Sequence, residues 1–312
     1  MTIRADKSNY ITVDEFKVMS QRLGVGGMMQ QLSFDGRTRL EVMVDLAIKR
    51  LQHYAQFDER GYYLAFSGGK DSQCIYHLAK EAGVKFDAHY NQTGIDPPEL
   101  VYNMRKHYPD VIVEPYEKSM WQLIRENGVP PLRTARYCCV HLKERGGEGR
   151  IVVTGVRAAE STMRKNNWGI VNRISKKKSE RAFTFDPEQG EQLMKMCPTN
   201  GKIMVAPIFD WTDEDVWAYI RDRNLPYCSL YDEGFKRLGC IGCPMASKGR
   251  EQQFLRWPKF KEAYIRTFDE MLRLHPDKPK PTWKTGHDVF DWWMSDVAAV
   301  GDDDGLFEEV SP

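Results

Sequence analysis

The chain has 312 residues, a formal net charge of +1, 41% hydrophobic and 29% charged residues. That length suits one main domain with extensions, the composition excludes a disordered chain, and no run approaches the roughly 20 apolar residues that span a bilayer. The polar start Met1-Thr2-Ile3-Arg4-Ala5-Asp6-Lys7 lacks a signal peptide's apolar centre, so a cytoplasmic protein is expected, and the global charge names no partner.

Residues 1–36, with Gly24-Val25-Gly26-Gly27 and little periodicity, read as an N-terminal arm. From Arg37 to Gln56, Leu40, Val44, Leu46, Ala47, Leu51 and Tyr54 recur at helical spacing. Tyr62 to Phe66 predicts a buried strand, then a glycine turn, then a helix from Gln73 to Glu81. Phe86–Tyr90 reads as a strand, Pro98–His107 as a helix, Val111–Val113 as a strand, Ser119–Glu126 as a helix and Ile151–Thr154 as a fourth strand. This alternation implies a doubly wound α/β fold, a parallel sheet with helices on both faces and ligands at the carboxyl ends of its strands.

Residues Arg157 to Arg181 are basic, with Arg164-Lys165, Arg173 and Lys176-Lys177-Lys178, and predict a mobile loop. Order resumes at Val205-Ala206-Pro207-Ile208, and Thr212 is the expected N-cap of a helix through Ile220 whose first turn holds Asp213, Glu214 and Asp215. Two more helices are predicted, Lys259–Leu274 and Asp288–Val297, in a helical C-terminal extension spanning 247–312.

Ser67-Gly68-Gly69-Lys70-Asp71-Ser72 lies between a strand and a helix, where unpaired amides face the helix's positive end and glycines admit a phosphate. Lys70 would neutralise phosphate charge and the two serines would donate hydrogen bonds. An acid beside phosphate needs a cation between them, so Asp71 is expected to hold Mg²⁺. Thr154-Gly155-Val156-Arg157, after the fourth strand, would share the crevice, with Arg157 as a phosphate clamp, and Asn91-Gln92-Thr93-Gly94 would lie near an adenosine.

Seven cysteines are unevenly spaced: Cys138-Cys139, then Cys240 and Cys243, with Cys74, Cys197 and Cys228 single. In a reducing compartment the two pairs favour a metal site over disulfides, and adjacent ligands favour iron–sulfur over zinc. A redox Cys-x-x-Cys or buried structural thiols are the alternatives.

The glycine loop resembles the pyrophosphate-binding loop of the N-type ATP pyrophosphatases. From about Arg37 to Ala246 the chain resembles the phosphoadenosine-phosphosulfate reductase superfamily: the loop, Thr154 to Arg157, Pro207-Ile208-Phe209-Asp210-Trp211-Thr212-Asp213-Glu214-Asp215-Val216-Trp217, and Tyr231-Asp232-Glu233-Gly234 leading to the second cysteine pair. The resemblance implies an adenine nucleotide α-hydrolase-like fold over 37–246, bound ATP and Mg²⁺, and a [4Fe–4S] cluster on Cys138, Cys139, Cys240 and Cys243. Ser67, Gly68, Gly69, Lys70, Asp71, Ser72, Gly155 and Arg157 would hold the nucleotide, with Lys70, Asp71 and Arg157 acting in catalysis.

The sulfonucleotide reductases attack with a cysteine in a Glu-Cys-Gly-x-His setting, whereas here no cysteine follows Cys243, and the ATP-binding consensus of the loop is intact. Both departures point toward the members that adenylate a target for sulfur, as in tRNA thiolation or DNA phosphorothioation. Expected partners are a sulfur donor such as a cysteine desulfurase and a nucleic-acid acceptor along Arg164 to Arg181; a homodimer is one compatible assembly. The rivals are a reductase using Cys197 or Cys228, and a nucleotide-sensing partner subunit with a structural cluster.

Overall fold

The computed structural model describes residues 36–175, 177–195, 201–246, 249–277 and 280–295. The N-terminal arm, Cys197, Lys176 and Val297 therefore lie outside the described residues, save Gly36 at the end of the arm. The chain divides into two compact units, Met1–Val42 and Met43–Pro312. In the first, Thr38 and Glu41 form a reciprocal cap, the Thr38 amide donating to Glu41 Oε2 at 2.7 Å and the Glu41 amide to Thr38 Oγ1 at 3.2 Å. This opens helix α1 (Arg39–Ala55).

In the second unit, α1 buries Met43, Val44, Ala47, Leu51 and Tyr54, the apolar stripe read from sequence, and Tyr62 Oη donates to the Leu51 carbonyl at 2.6 Å. The sheet strands are β1 (Tyr62–Ala65), β2 (Phe86–Asn91), β3 (Ile112–Glu114), β4 (Ile151–Val153), β5 (Val171–Ser175), β6 (Ala182–Thr184) and β7 (Gly201–Val205). Their spatial order is β3-β2-β1-β4-β7-β5-β6. The first five in that order are parallel, and β5 runs antiparallel to both β7 and β6. The sheet is mixed, not wholly parallel as expected. After β1 the chain builds outward to β2 and β3, then returns to place β4 on the other side of β1. That reversal is the topological switch point, where the carboxyl ends of β1 and β4 open a crevice.

Helices α2 (Lys70–Glu81), α3 (Pro98–His107), α4 (Met120–Asn127) and α5 (Tyr137–Leu142) connect the first four strands. The segment 157–181 corrects the loop expectation: it contains a short turn at Ala158–Glu160, helix α6 (Thr162–Asn167) and strand β5. Its basic residues concealed a pairing edge. Val171, Asn172 and Ser175 are buried, five residues of β5 pair with β7, and the Asn172 amide side chain satisfies both the amide and the carbonyl of Gly169. Helix α7 (Pro187–Lys195) follows β6.

Helix α8 (Asp213–Asp222) starts as its sequence predicts. Thr212 caps it and Asp215 Oδ2 accepts from the Thr212 amide at 2.8 Å. Helices α9 (Gly249–Arg256), α10 (Pro258–Leu274) and α11 (Gly286–Met294) form the C-terminal part. Phe254, Tyr264, Phe268, Trp283, Phe290 and Trp293 share one hydrophobic core with Ile95, Leu123, Cys240 and Ile241. Trp293 is fully buried, and its Nε1–H donates to the Pro131 carbonyl at 2.7 Å. The aromatic mass of the extension thus closes over the segment that carries the cysteines.

Trp293→Ala should cost about 3–5 kcal/mol, the range for truncating a large buried aromatic. Urea unfolding checks this; a loss below about 1 kcal/mol, the scale of an ordinary substitution, would mean the extension contributes little to that core.

Candidate functional site

After β1, the chain turns at Gly68, whose φ of +74° suits only glycine without strain, and Gly69 caps α2 in an extended conformation with no side-chain cap. The helix's positive end is left open to an anion. The hydroxyls are wired into the turn: Ser72 Oγ donates to the Gly69 carbonyl at 2.8 Å and Ser67 Oγ lies 3.3 Å from Ser72 Oγ. The Lys70 amide donates to Tyr231 Oη at 2.9 Å, so a phenol holds one of the donors a phosphate would use. Tyr231 is packed edge-on against Trp217 at 5.0 Å.

Above the loop four charged side chains close a ring. Arg157 Nε donates to Asp71 Oδ1 at 2.6 Å and Arg157 Nη2 to Asp213 Oδ1 at 2.7 Å. Lys70 Nζ lies 3.0 Å from the same Asp213 oxygen and 3.4 Å from Asp71 Oδ2. The Arg157 side chain is 2% exposed and that of Lys70 7%, and Arg157 also donates to the Trp211 carbonyl at 3.2 Å. Two buried cations matched by two carboxylates satisfy the cost of burying charge. Gly155 allows the chain leaving β4 to approach the start of α2: a Cβ there would lie 3.0 Å from the Asp71 carbonyl carbon and oxygen.

The structure thus brings together Lys70, Asp71, Gly155 and Arg157, and adds Asp213, which sequence reasoning treated only as a helix-end acid. Burial pushes the Asp213 carboxyl up, but hydrogen bonds from Lys70 and Arg157 outweigh it and hold the net value below the usual range. Tyr231 was also missed as a loop partner. It lies 161 residues from Lys70, so no local pattern joins them. Asn91 Nδ2 donates to the Lys143 and Arg145 carbonyls at 3.1 and 3.0 Å, while its Oδ1 has no hydrogen-bond partner among the described residues.

Cys138, Cys139, Cys240 and Cys243 line one cavity of about 30 Å³, enclosed by Ile95, Met120 and Tyr264 among others. The α5 pair and the turn at 240–243 therefore face each other. Arg136 Nη2 donates to Cys139 Sγ at 3.4 Å, and the Gly242 amide donates to Gln253 Oε1 at 2.8 Å, fixing the turn. A hydrogen bond from Cys138, aided by Arg136, holds the Cys139 thiol down to about 6, while Cys138 is pushed up. Burial pushes the Cys240 thiol up to about 12 against the pull of Lys143. Among the described residues no group of three or more His, Cys, Asp or Glu is arranged to hold a metal ion, so the thiols ring the cavity without closing on one point.

Arg164 pairs with Glu160, and Arg136 Nη2 lies 3.6 Å from Glu144 Oε1. Burial, then the neighbouring Arg237, with Arg136 and Arg157, pulls the half-buried Arg164 down to about 10 against the help of Asp71. Further along the basic segment the charges are compensated, Lys177 by Glu180 at 3.6 Å, and Arg181 Nε donates to the Ser175 carbonyl at 2.8 Å. Phe183 and Phe185 are exposed beside them. Cys228 and Cys74 are buried and their thiols are pushed up by that burial. No helix is long and apolar enough to cross a membrane among the described residues.

An uncharacterized protein of Methanocaldococcus jannaschii is 28% identical over 226 residues, which are 68% of this chain and 42% of that protein. The adenosine 5'-phosphosulfate reductase of Staphylococcus haemolyticus is 24% identical over 198 residues, 60% of this chain and 70% of the reductase. The chain spans about half the length of the two Methanocaldococcus relatives it matches. Among solved structures, the phosphoadenylyl-sulfate reductase from Candida auris in a phosphate complex is 15% identical, covers 69% of this chain and 98% of its own, and has a TM-score of 0.42. Residues 61–246, more than half of the chain, match the model of the phosphoadenosine phosphosulfate reductase domain, and the chain belongs to that family.

Proposed function

We propose that this chain binds ATP with Mg²⁺ at the β1–α2 loop and cleaves it to AMP and pyrophosphate, adenylating an acceptor for sulfur incorporation. The observation that carries the reading is the intact Ser67 to Ser72 loop, with the buried Lys70 and Arg157 joined in one ring to the more exposed Asp71 and Asp213. An acceptor oxygen attacks the α-phosphorus, the bond from that phosphorus to the bridging oxygen breaks, and pyrophosphate leaves with the electron pair. Lys70, Arg157 and the α2 amides stabilise the charge that develops on it. Asp71 and Asp213 offer the carboxylate oxygens that would hold Mg²⁺. A persulfide supplied by a cysteine desulfurase then displaces AMP, which leaves with the bonding pair, and a second thiol cleaves the resulting disulfide to leave the sulfur on the acceptor.

Cys138, Cys139, Cys240 and Cys243 would hold a [4Fe–4S] cluster. Four thiols lining one cavity are the donor set that such a cluster takes. When bound it supplies sulfur or electron chemistry; Arg136 and Lys143 would offset its negative charge. The mutual repulsion of Arg164, Arg237 and Arg136, which persists although Glu160 pairs with Arg164 and Glu144 with Arg136, supports an anionic acceptor, and the exposed Phe183 and Phe185 support a nucleic acid that stacks bases. The names of several relatives favour a sulfonucleotide reductase instead. Against that reading, Cys228, one of its two candidate nucleophiles, is 1% exposed.

Asp71→Asn keeps an acceptor for Arg157 but removes the metal-binding charge. It should lower the melting temperature, because Arg157 and Lys70 lose a counter-charge, and in the folded variant pyrophosphate release should fall about 100-fold or more; unchanged release removes Asp71 from the chemistry. Tyr231→Phe frees the Lys70 amide. Calorimetry should then show ATP binding up to about tenfold tighter, the worth of one net hydrogen bond, and weaker binding would assign the phenol a role in holding nucleotide. Cys240→Ser, purified without oxygen, should lose most bound iron and sulfide yet keep ATP affinity; parental iron content would refute the four-cysteine assignment.

A further inference from the structure

Both carboxylates that would hold Mg²⁺ are already in the hands of cations. Asp71 Oδ1 accepts from Arg157 Nε at 2.6 Å, and Asp71 Oδ2 lies 3.4 Å from Lys70 Nζ. Asp213 Oδ1 takes both cations, Arg157 Nη2 at 2.7 Å and Lys70 Nζ at 3.0 Å. Two positive and two negative charges cancel. A divalent ion added to that set would meet two cations whose side chains are almost wholly buried, so water and salt screen the repulsion poorly. The plain reading of such a ring is that it neutralises buried charge and does nothing more.

The two cations are not equivalent, however. Arg157 is fixed from several sides: beyond the carboxylates, its Nη1 donates to the Trp211 carbonyl at 3.2 Å and its amide to Glu160 Oε2 at 3.0 Å. Lys70 is anchored through its backbone, where the amide donates to Tyr231 Oη at 2.9 Å. Its Nζ touches only the two carboxylates among the described residues, at the longer distances of the ring. An ammonium on a four-carbon stem is a point charge that turns readily between neighbouring anions, whereas a guanidinium fork is held by its geometry. Lys70 is also the first residue of α2, at the helix end that favours an anion. A phosphate bound there competes with Asp71 and Asp213 for this ammonium, and each carboxylate that loses it regains charge for a metal.

We propose that Lys70 is a placeholder for the metal: its ammonium occupies the cation position between Asp71 and Asp213 and excludes a divalent ion until a nucleotide phosphate draws it away. Free Mg²⁺ alone does not load the site, and metal binding is conditional on the nucleotide. The inference rests on the reading that ATP binds the β1–α2 loop with Mg²⁺, and it adds the order in which the charges change partners. Lys70 turns from carboxylate to phosphate without leaving the crevice, while Arg157 stays where the ring holds it.

The test titrates the full chain, purified without oxygen, with Mn²⁺ in place of Mg²⁺ and counts the free ion by its room-temperature paramagnetic resonance signal. Lys70→Gln removes the ammonium and keeps both Arg157 pairs. Without nucleotide it should bind Mn²⁺ at least about tenfold more tightly than the parent, and Lys70→Gln/Asp213→Asn should lose that gain. Lys70→Met repeats the measurement, with circular dichroism to verify each fold. Calorimetry of the parent with ATP and excess Mg²⁺ runs in parallel, and no binding there removes the ATP reading and the placeholder with it. With ATP bound, equal Mn²⁺ affinity in the parent and the folded Lys70 variants overturns the placeholder alone. Should neither Lys70 variant fold, the parent decides: a nucleotide-free Mn²⁺ site that Asp213→Asn abolishes overturns the proposal, and the absence of one supports it.

Discussion

The site is organised around one nearly inaccessible guanidinium. Arg157, at the end of β4, reaches Asp71 at the start of α2 and Asp213 at the start of α8, and so ties together three chain segments that the sheet topology brings to one crevice. A buried guanidinium is costly without counter-charges, and the two carboxylates lie 2.6 and 2.7 Å from it. Lys70 completes a neutral quartet. The consequence is a loop whose charged members are held in place before any ligand arrives, the arrangement that electrostatic stabilisation of a leaving group requires.

The thiol cavity depends on different physics. Its four cysteines come from a short helix and a tight turn, neither of which has much internal stability, and both are held from behind by the aromatic core that the C-terminal helices supply. Tyr231 belongs to the chain between the two centres. Its hydroxyl sits on the nucleotide loop, and nine residues later the same segment enters the cavity at Cys240. One stretch of chain therefore touches both centres.

Much of this was legible in the sequence, because local rules acted on it. The strand-turn-helix around Ser67 to Ser72, the Thr212 cap and the helical stripes of α1 and α10 all follow from short-range patterns. Strand β5 was hidden because its neighbours are basic and its pairing is with β7, some thirty residues away. Asp213 could be placed at a helix start but not assigned to the ring, since its partners are fixed only by the switch-point topology. The same limit concealed Tyr231: a contact made across the fold has no sequence period.

The most direct measurement of the central claim follows a phosphorus label carried at the γ position of ATP through a single turnover, with DNA, tRNA or no acceptor present. Cleavage at the α-phosphorus predicts the label in pyrophosphate, with AMP formed in equal amount. Label in orthophosphate with ADP as the product, or no cleavage with any acceptor, would contradict it.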